Sequence, residues 1–273
     1  MKEITQNLVK SWIPIRDPHT YKNNLGRVLC IGGNAQMGGA MVLMSSAALN
    51  SGAGLITAAS DPINVHALHA RFPEIMFTNM YNTEALIKQI QVAKVIIVGP
   101  GLGLDDDARK VFNTVIQHTK DDQTLIIDAD AITLYSKYKP ILHGRIIFTP
   151  HLGEWQRLSG LSALEETEKL NRQARDSLGA TIVLKKARSE VYFDNACWVN
   201  TTGNPAMATG GMGDTLAGMI AGFVAQFDDF EKGVLSAIYL HSYIGDQLAN
   251  THYVTLPSSI IDHISSTMRH FVK

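Results

Sequence analysis

The chain alternates between short runs of consecutive apolar residues and longer amphipathic segments. The clearest apolar run is Val95–Val98, which a glycine-rich segment follows. Similar runs predict strands at residues 27–31, 55–59, 74–79, 124–128, 145–148 and 181–184. Because these strands are apolar along their whole length rather than at every second position, we expect a parallel sheet that is buried on both faces.

Helical composition fills most of the intervals between the strands. Predicted helices cover residues 39–50, 64–70, 83–93, 105–118, 164–178, 215–226, 229–248 and 258–271. Residues 190–193 and 197–200 predict a β-hairpin. The sequence therefore predicts an α/β fold, with a mainly parallel central sheet covered by helices on both faces and a small antiparallel hairpin at one edge. No internal repeat, linker or low-complexity tract interrupts residues 1–273, which predicts a single domain.

Composition is that of a compact protein with a large core. Of the 273 residues, 45% are hydrophobic and 18% are charged, and the formal net charge is -1. This near-neutral charge gives no support for binding to nucleic acid or to an anionic membrane, so local groups must hold any anionic ligand. Cys30 and Cys197 are expected to be buried free thiols in a reducing compartment. No segment has the character of a membrane span or signal peptide, so we expect a cytoplasmic protein.

The segment from Asn204 to Asp214 carries the strongest candidate chemistry. Gly210, Gly211 and Gly213 allow a tight turn that directs several N–H groups to one point, and the following helix adds the positive end of its dipole. This arrangement binds phosphates. Asp214 would repel an anion, so it suits a base that activates a hydroxyl group facing a phosphoryl group. The alternative is an ordinary turn in which Asp214 is a stabilising first-turn charge.

Polar or glycine-rich residues also follow the other predicted strands, where open α/β sheets bind their ligands. These segments are Gly32-Gly33-Asn34, Gly99-Pro100-Gly101-Leu102-Gly103, Asp128-Ala129-Asp130-Ala131, Thr149-Pro150-His151-Leu152-Gly153-Glu154 and Lys185-Lys186. Each has a plainer interpretation: a strand-to-helix turn for the glycines, helix caps for the aspartates, a surface loop for His151 and a solvated strand end for the lysines. Ligand-competent residues at so many strand ends exceed what turn formation requires.

In their order and spacing, these segments resemble the ADP/ATP-dependent NAD(P)H-hydrate dehydratases over nearly the whole chain. The most specific matches are Thr149-Pro150-His151-x-Gly153-Glu154 and Asn204-Pro205-x-Met207-Ala208-Thr209-Gly210-Gly211-x-Gly213-Asp214. The resemblance implies a ribokinase-like fold, which agrees with the predicted parallel sheet. It also implies repair of hydrated NADH and NADPH, in which a nucleotide phosphoanhydride drives the removal of water. Bacterial members favour ADP, yield AMP and phosphate, and usually work with Mg²⁺.

The resemblance also implies roles for individual residues. Those expected to contact the hydrated dinucleotide are Ala40, Gly103, His151 and Asp214. Those expected to hold ADP or ATP are Lys185, Lys186, Ala187, Arg188, Ser189, Gly210, Gly211 and Gly213. Asp214 is expected to be the catalytic base that takes the proton of the C6 hydroxyl group, while the amides of residues 210–213 stabilise the transferring phosphoryl group. Glu154 and Asp128 are the candidates for holding Mg²⁺, through water.

Some features depart from the family pattern. Relatives commonly carry Lys-Gly-x-x-Thr where this chain has Lys185-Lys186-Ala187-Arg188-Ser189, which leaves the nucleotide preference open. Strand alternation puts Lys185 and Lys186 on opposite faces, so we expect Lys185 to face the ligand and Lys186 to be a bystander. Tyr21 stands where a histidine is common. Many relatives also carry an N-terminal epimerase domain that we do not find here, so a separate epimerase is the expected functional partner. The resemblance implies a homotetramer.

Two other functions stay open at this point. A ribokinase-like small-molecule kinase, such as a hydroxyethylthiazole-type kinase, would share the glycine loop and the base but would release a phosphorylated product. A non-catalytic nucleotide sensor would keep the glycines and would need no Asp214. Residues 149–151 and 99–103 favour the dehydratase over the kinase, and Asp214 disfavours the sensor.

Overall fold

The computed structural model describes residues 1–272 and contains a ten-stranded sheet. Every strand predicted from the apolar runs is present. In chain order the strands are β1 (Lys2–Ile4), β2 (Arg27–Ile31), β3 (Leu55–Ser60), β4 (Met76–Asn79), β5 (Val95–Val98), β6 (Thr124–Ile127), β7 (Arg145–Phe148), β8 (Thr181–Leu184), β9 (Glu190–Tyr192) and β10 (Cys197–Asn200).

The helices connect these strands and form the C-terminal part of the chain. They are α1 (Gln6–Trp12), α2 (Gly38–Asn50), α3 (Val65–Arg71), α4 (Thr83–Val92), α5 (Asp106–His118), α6 (Ala129–Tyr138), α7 (Leu152–Ser159), α8 (Glu168–Leu178), α9 (Met212–Gln226), α10 (Phe230–Ala249) and α11 (Pro257–Phe271). Short 3₁₀ turns lie at Pro62–Asn64 and Pro205–Met207. Within residues 1–272, no helix combines the length and the apolar character that crossing a bilayer demands.

The strand order is β1-β10-β9-β8-β7-β6-β5-β2-β3-β4. All neighbours from β8 to β4 run parallel, whereas β8 with β9 and β9 with β10 are antiparallel. The predicted combination of a mainly parallel sheet and an antiparallel hairpin is confirmed. The short β1, which the sequence pattern does not predict, pairs in parallel with β10 and forms the outermost strand beyond the hairpin.

Helices cover both faces of the sheet, as predicted. In β5, Val95 and Ile97 belong to the core that includes residues of α2, α9 and α10, while Ile96 and Val98 belong to the core that includes residues of α4, α5 and α6. These four side chains are fully buried. Since side chains alternate across a sheet, burial on both faces requires an uninterrupted apolar run. Cys30 and Cys197 are buried free thiols, as predicted, and burial raises the pKa of the Cys30 thiol.

Close packing between α2 and α9 sets the position of the α9 N-terminus. Gly218 and Gly222 lie on the side of α9 that faces α2, where a Cβ atom on either would crowd the carbonyl oxygens of α2. Only glycine permits this approach. Residues 215–225 of α9 are all buried. The core therefore holds the first turn of α9, which contains Asp214, in a fixed place.

The structure also contains helices that the sequence pattern does not predict. Asp128 is the N-cap residue of α6 and His151 is the N-cap residue of α7, so each helix starts directly after a candidate site residue. The predicted helix at residues 164–178 starts later, at Glu168, because the Thr167 side chain caps its N-terminus by accepting a hydrogen bond from the Leu170 amide.

Candidate active site

The carboxyl ends of five neighbouring strands form the edge at which the candidate residues meet. β8, β7, β6, β5 and β2 are consecutive in the sheet. The segments that follow them therefore lie side by side: Lys185, residues 149–151, Asp128, residues 99–103 and residues 32–34. The N-terminus of α9 reaches the same edge, since a Cβ atom on Gly213 would lie 3.1 Å from Nζ of Lys185.

The first turn of α9 presents backbone amides toward this edge. Gly211 is the N-cap residue and has a φ of 91°, a left-handed conformation that favours glycine. The Thr215 amide donates to the Gly211 carbonyl oxygen at 3.0 Å. The amides of Met212, Gly213 and Asp214 come before this bond and have no acceptor within the helix, so they are suited to binding an anion. The structure thus adds the Asp214 amide to the candidate amides of residues 210–213.

The shape of the preceding loop depends on α10. The two Asp246 carboxylate oxygens accept hydrogen bonds from the Gly203 amide at 3.0 Å and from Nδ2 of Asn204 at 2.6 Å. Oδ1 of Asn204 accepts a hydrogen bond from the Ala206 amide at 2.9 Å. The Asn204 side chain therefore stabilises the loop through hydrogen bonds at both ends of its amide group, a role that the motif alone does not reveal.

An ion pair between Lys185 and the buried Asp128 lies beside the α9 N-terminus. Nζ of Lys185 donates to Oδ1 of Asp128 at 2.8 Å, and Asp128 is only 1% exposed. Burial by itself lowers the pKa of Lys185, but the carboxylates of Asp128, Glu154 and Asp214 outweigh that effect and the net shift is upward. Lys185 therefore stays charged and brings a cation to the place where phosphate is expected.

Asp214 is a carboxylate with an unusual affinity for protons. Its pKa is raised to about 6, chiefly because it is buried. The neighbouring Asp128 and Asp130 carboxylates raise the pKa further, while Lys185 opposes them. A carboxylate with a pKa close to neutral pH is well matched to accepting a proton from a hydroxyl group.

His151 and Glu154 form the N-terminal cap of α7. Nδ1 of His151 accepts hydrogen bonds from the Gly153 amide at 3.0 Å and the Glu154 amide at 3.3 Å, while Oε2 of Glu154 accepts from the His151 amide at 2.8 Å. Backbone pairing places His151 opposite Lys185. The predicted site residue His151 therefore lies beside Lys185 at this edge of the sheet, and it also caps α7.

The glycine-rich segment after β5 brings Gly103 to the same edge. The Gly103 amide donates to Oδ2 of Asp130 at 2.8 Å, and Asp130 is one of the carboxylates that act on Asp214. Ala40 lies in the first turns of α2, where its Cβ atom would be 3.1 Å from a Cβ atom on Gly101. Gly103, His151 and Asp214 therefore share one edge of the sheet, and Ala40 borders it.

Lys185 and Gly213 also line a cavity of about 590 Å³. This volume falls within the range of about 300–1,000 Å³ that is typical of small-molecule pockets. Lys185, Lys186, Ala187, Arg188 and Ser189 all line it, as does Gly213. Its lining does not include Gly210 or Gly211, and among the described residues Ala40, Gly103, His151 and Asp214 also lie outside it.

Sequence reasoning missed several residues that line this cavity. They come from the segment after β10, from α9 and from α10, and they include Thr202, Met207, Leu216, His241 and Ser242. His241 is 5% exposed, its Nε2 has no partner within residues 1–272, and burial lowers its pKa to about 4. The imidazole is therefore neutral. A histidine at an inward position of an otherwise apolar helix was the signal that could have identified it.

The candidate magnesium ligands fit the metal unequally. Oδ2 of Asp128 is buried and has no hydrogen-bond partner among residues 1–272, whereas one Glu154 oxygen is already bonded to the His151 amide. No group of three or more His, Cys, Asp or Glu side chains in that range is arranged to hold a metal. Mg²⁺ in phosphoryl transfer is commonly bound by one or two carboxylates together with phosphate oxygens and waters. Asp128 fits such a site.

The fold and this edge define a class of protein. A parallel α/β sheet places a helix N-terminus, a buried carboxylate and a lysine beside a nucleotide-sized cavity, which is the arrangement of a nucleotide-dependent phosphoryl-transfer site. The family model described as NAD(P)H-hydrate dehydratase matches residues 28–266. The chain belongs to this family, and the resemblance identified from its motifs is confirmed.

Individual relatives agree with this assignment. The chain is 48% identical over 258 residues, 94% of each chain, to an ADP-dependent (S)-NAD(P)H-hydrate dehydratase of Staphylococcus aureus. The structure is similar to that of a ribokinase-like superfamily protein from Enterococcus faecalis, with a TM-score of 0.98, 44% identity, and coverage of 100% and 96%. It also resembles an ADP/ATP-dependent NAD(P)H-hydrate dehydratase from Bacillus subtilis co-crystallised with ATP and Mg²⁺, with a TM-score of 0.88, 28% identity, and coverage of 99% and 98%.

Proposed function

We propose that this chain uses ADP or ATP to dehydrate hydrated NADH and NADPH, and is thus a carbon–oxygen lyase. The observation that carries the proposal is the place of Asp214. This half-buried carboxylate lies in the first turn of α9, next to Gly213, and its pKa responds to the charge of Lys185, which lines the nucleotide-sized cavity. The names of the relatives support the same activity over that of a small-molecule kinase.

In the proposed reaction, Asp214 accepts the proton of the C6 hydroxyl group while the hydroxyl oxygen attacks the terminal phosphorus of the nucleotide. The new O–P bond forms as the bond from the terminal phosphorus to the bridging oxygen breaks, so AMP is the leaving group when ADP is the donor. Lys185 and the amides of residues 212–214 stabilise the charge that spreads over the phosphoryl group. The C6–O bond then breaks with electrons supplied by the ring nitrogen, phosphate leaves, and loss of the C5 proton restores the dihydronicotinamide.

The two substrates approach Asp214 from opposite sides. The nucleotide occupies the cavity lined by residues 185–189, with its phosphates directed at Gly213 and the loop of Gly210 and Gly211. The hydrated dinucleotide lies on the other side, against Ala40, Gly103 and His151. Support for this division comes from the cavity, whose lining contains the nucleotide-binding candidates at 185–189 and Gly213 but none of the dinucleotide-binding ones.

Mg²⁺ is proposed to neutralise phosphate charge when it is bound. Asp128 would hold it directly or through water, and Glu154 would act through water because its carboxylate already caps α7. The ATP/Mg²⁺ complex of the Bacillus relative supports a magnesium-bound nucleotide.

Residues 1–273 are proposed to act as a single domain, because all the strands from β1 to β10 belong to one sheet. A homotetramer, a cytoplasmic location and functional coupling to a separate NAD(P)H-hydrate epimerase are proposed from the family resemblance. Light scattering on the purified protein tests the tetramer.

The decisive experiment is incubation of the protein with hydrated NADH, Mg²⁺ and either ADP or ATP, followed by absorbance of restored NADH and by chromatography of the nucleotide. We expect NADH to appear with one AMP and one phosphate for each ADP consumed. The same protein with hydroxyethylthiazole and ATP tests the kinase alternative. Stable phosphorylated alcohol without restored NADH would refute the dehydratase.

A further inference from the structure

A chain of polar contacts runs from the nucleotide cavity into the core. Nζ of Lys186 donates to Oε1 of Glu166 at 2.6 Å and lies 2.9 Å from Oε1 of Glu190. Oε2 of Glu190 accepts a hydrogen bond from the Tyr192 hydroxyl group at 2.6 Å, and that hydroxyl oxygen accepts one from Nδ2 of Asn171 at 3.0 Å. Lys186 is therefore the outer end of a connected network, whose inner members are buried.

The inner end of this network is the helix that carries His151. Oδ1 of Asn171 accepts a hydrogen bond from Nε1 of Trp155 at 2.7 Å, and Trp155 is 1% exposed. Trp155 belongs to α7, and its amide donates to the carbonyl oxygen of His151, the N-cap residue, at 2.8 Å. The network thus joins the connection between β8 and β9, which lines the cavity, to the α7 helix.

The outer end also holds a second segment. Glu166 lies in the connection between α7 and α8, which is exposed at most positions. Its carboxylate and that of Glu190 are each only 16% exposed, and the Lys186 side chain is 26% exposed. Burial by itself lowers the pKa of Lys186, but its bonds to Glu166 and Glu190 outweigh that effect and the net shift is upward. The ammonium group is therefore charged and is engaged by two carboxylates.

We propose that Lys186 is a positioning residue for nucleotide binding. By bridging Glu166 and Glu190, it holds residues 185–189 in the shape that forms one wall of the cavity, and it does so without touching the nucleotide itself. This inference rests on the proposed function for the identity of the ligand. It replaces the bystander role that strand alternation alone predicts for Lys186.

The sign of the effect of Glu166 separates this proposal from a direct contact. If Lys186 simply attracted phosphate, Glu166 would compete with the anionic nucleotide, and its removal would leave the affinity unchanged or improve it. If Lys186 positions the cavity wall, removal of Glu166 weakens nucleotide binding even though a negative charge has been lost. Glu166 lies in a surface connection, so its replacement is compatible with folding.

Calorimetric titration of ADP into Lys186→Met and Glu166→Ala tests the proposal. We expect each to raise the Kd for ADP about fivefold, the upper end of what one partly exposed ion pair contributes. The double variant should be no weaker than the single ones, because both changes break the same contact. Lys186→Arg should keep near-normal affinity, since a guanidinium group can bridge two carboxylates.

Lys88→Met is the matched control, because it removes an exposed ion pair with Glu84 on α4 and should leave the Kd unchanged. In steady-state assays kcat at saturating ADP should stay near the wild-type value, whereas a merely structural defect would lower the active fraction and the Tm. A normal Kd in Glu166→Ala, or no ADP binding by the wild-type protein, would overturn the inference. Normal ADP binding with this pattern but without dehydration would contradict the proposed function alone.

Discussion

Replacement of Asp214 by asparagine tests the central catalytic assignment. Asparagine has nearly the same shape but cannot accept a proton. Loss of a general base costs about two to four orders of magnitude in rate, so we expect kcat to fall by that amount. The affinity for ADP should change little, because the backbone amides of residues 212–214 and the ammonium group of Lys185 remain in place.

The pH dependence of the wild-type enzyme follows from the position of the carboxylate. Burial raises the pKa of Asp214 to about 6. Only the ionised form accepts a proton, so kcat/KM should fall about tenfold for each pH unit below that value. The residual activity of the asparagine variant should lack this acidic limb.

The same pKa shift makes a prediction about stability. The folded state binds a proton on Asp214 more tightly than the unfolded chain does, so this group disfavours folding increasingly as the pH rises above 3.8, and the full penalty is reached above about 6. The upward shift from the usual 3.8 corresponds to an upper limit of about 3 kcal/mol. Asp214→Asn should therefore raise the Tm at neutral pH, and the difference should shrink as the pH falls through the range between these two pKa values.

Stopped-flow absorbance of restored NADH measures the rate, and differential scanning calorimetry measures the Tm. Asp229→Asn is a suitable control, because Asp229 is the N-cap residue of α10 and both residue types cap helices well. Wild-type turnover in Asp214→Asn would refute the general-base role. An acidic limb that persists in this variant would assign the titration to another group.

The other expected outcomes concern the nucleotide and the metal. Gly213→Val should abolish ADP binding in calorimetry while circular dichroism stays native, because its side chain would crowd the Lys185 ammonium group and cover the amides of α9; unchanged affinity would contradict this. Lys185→Ala should raise the KM for ADP at least several-fold, and less so at high salt, since it removes the cation beside the phosphates; a KM equal to that of the wild type at both salt concentrations would show that Lys185 serves only to pair with Asp128. Chelation of Mg²⁺ should abolish turnover reversibly. Asp128→Asn should raise the Mg²⁺ concentration that gives half-maximal activity more than Glu154→Gln does, and the reverse order would assign the metal to Glu154.

Local pattern was sufficient to predict the layers of the fold. The uninterrupted apolar run of β5 requires burial on both faces, and this alone predicts a parallel sheet between two layers of helices. The hairpin of β9 and β10 was predicted because the turn-forming segment Asp194-Asn195-Ala196 joins two short strand-like runs. β1 was not predicted, because its three residues are too few to show a period. The helices α6 and α7 were obscured because their first residues also carry candidate chemistry.

The sequence by itself also determined which residue types stand at the ends of the strands. Asp214, the glycines before it and residues 149–154 could be selected because a turn and a helix start have local chemical requirements. Such requirements depend on near neighbours in the chain. They identify what each segment can do and do not state which distant group it meets.

Only the tertiary structure decided those meetings. Lys185 contacts Asp128, which is 57 positions away, because β8 and β6 are separated by a single strand in the sheet. Lys186 contacts Glu166 and Glu190 because the connection between α7 and α8 lies against the connection between β8 and β9. The pKa of Asp214 depends on how much water the core excludes and on which charges lie nearby. Burial and long-range charge are properties of the packed molecule, so no local pattern in the sequence contains them.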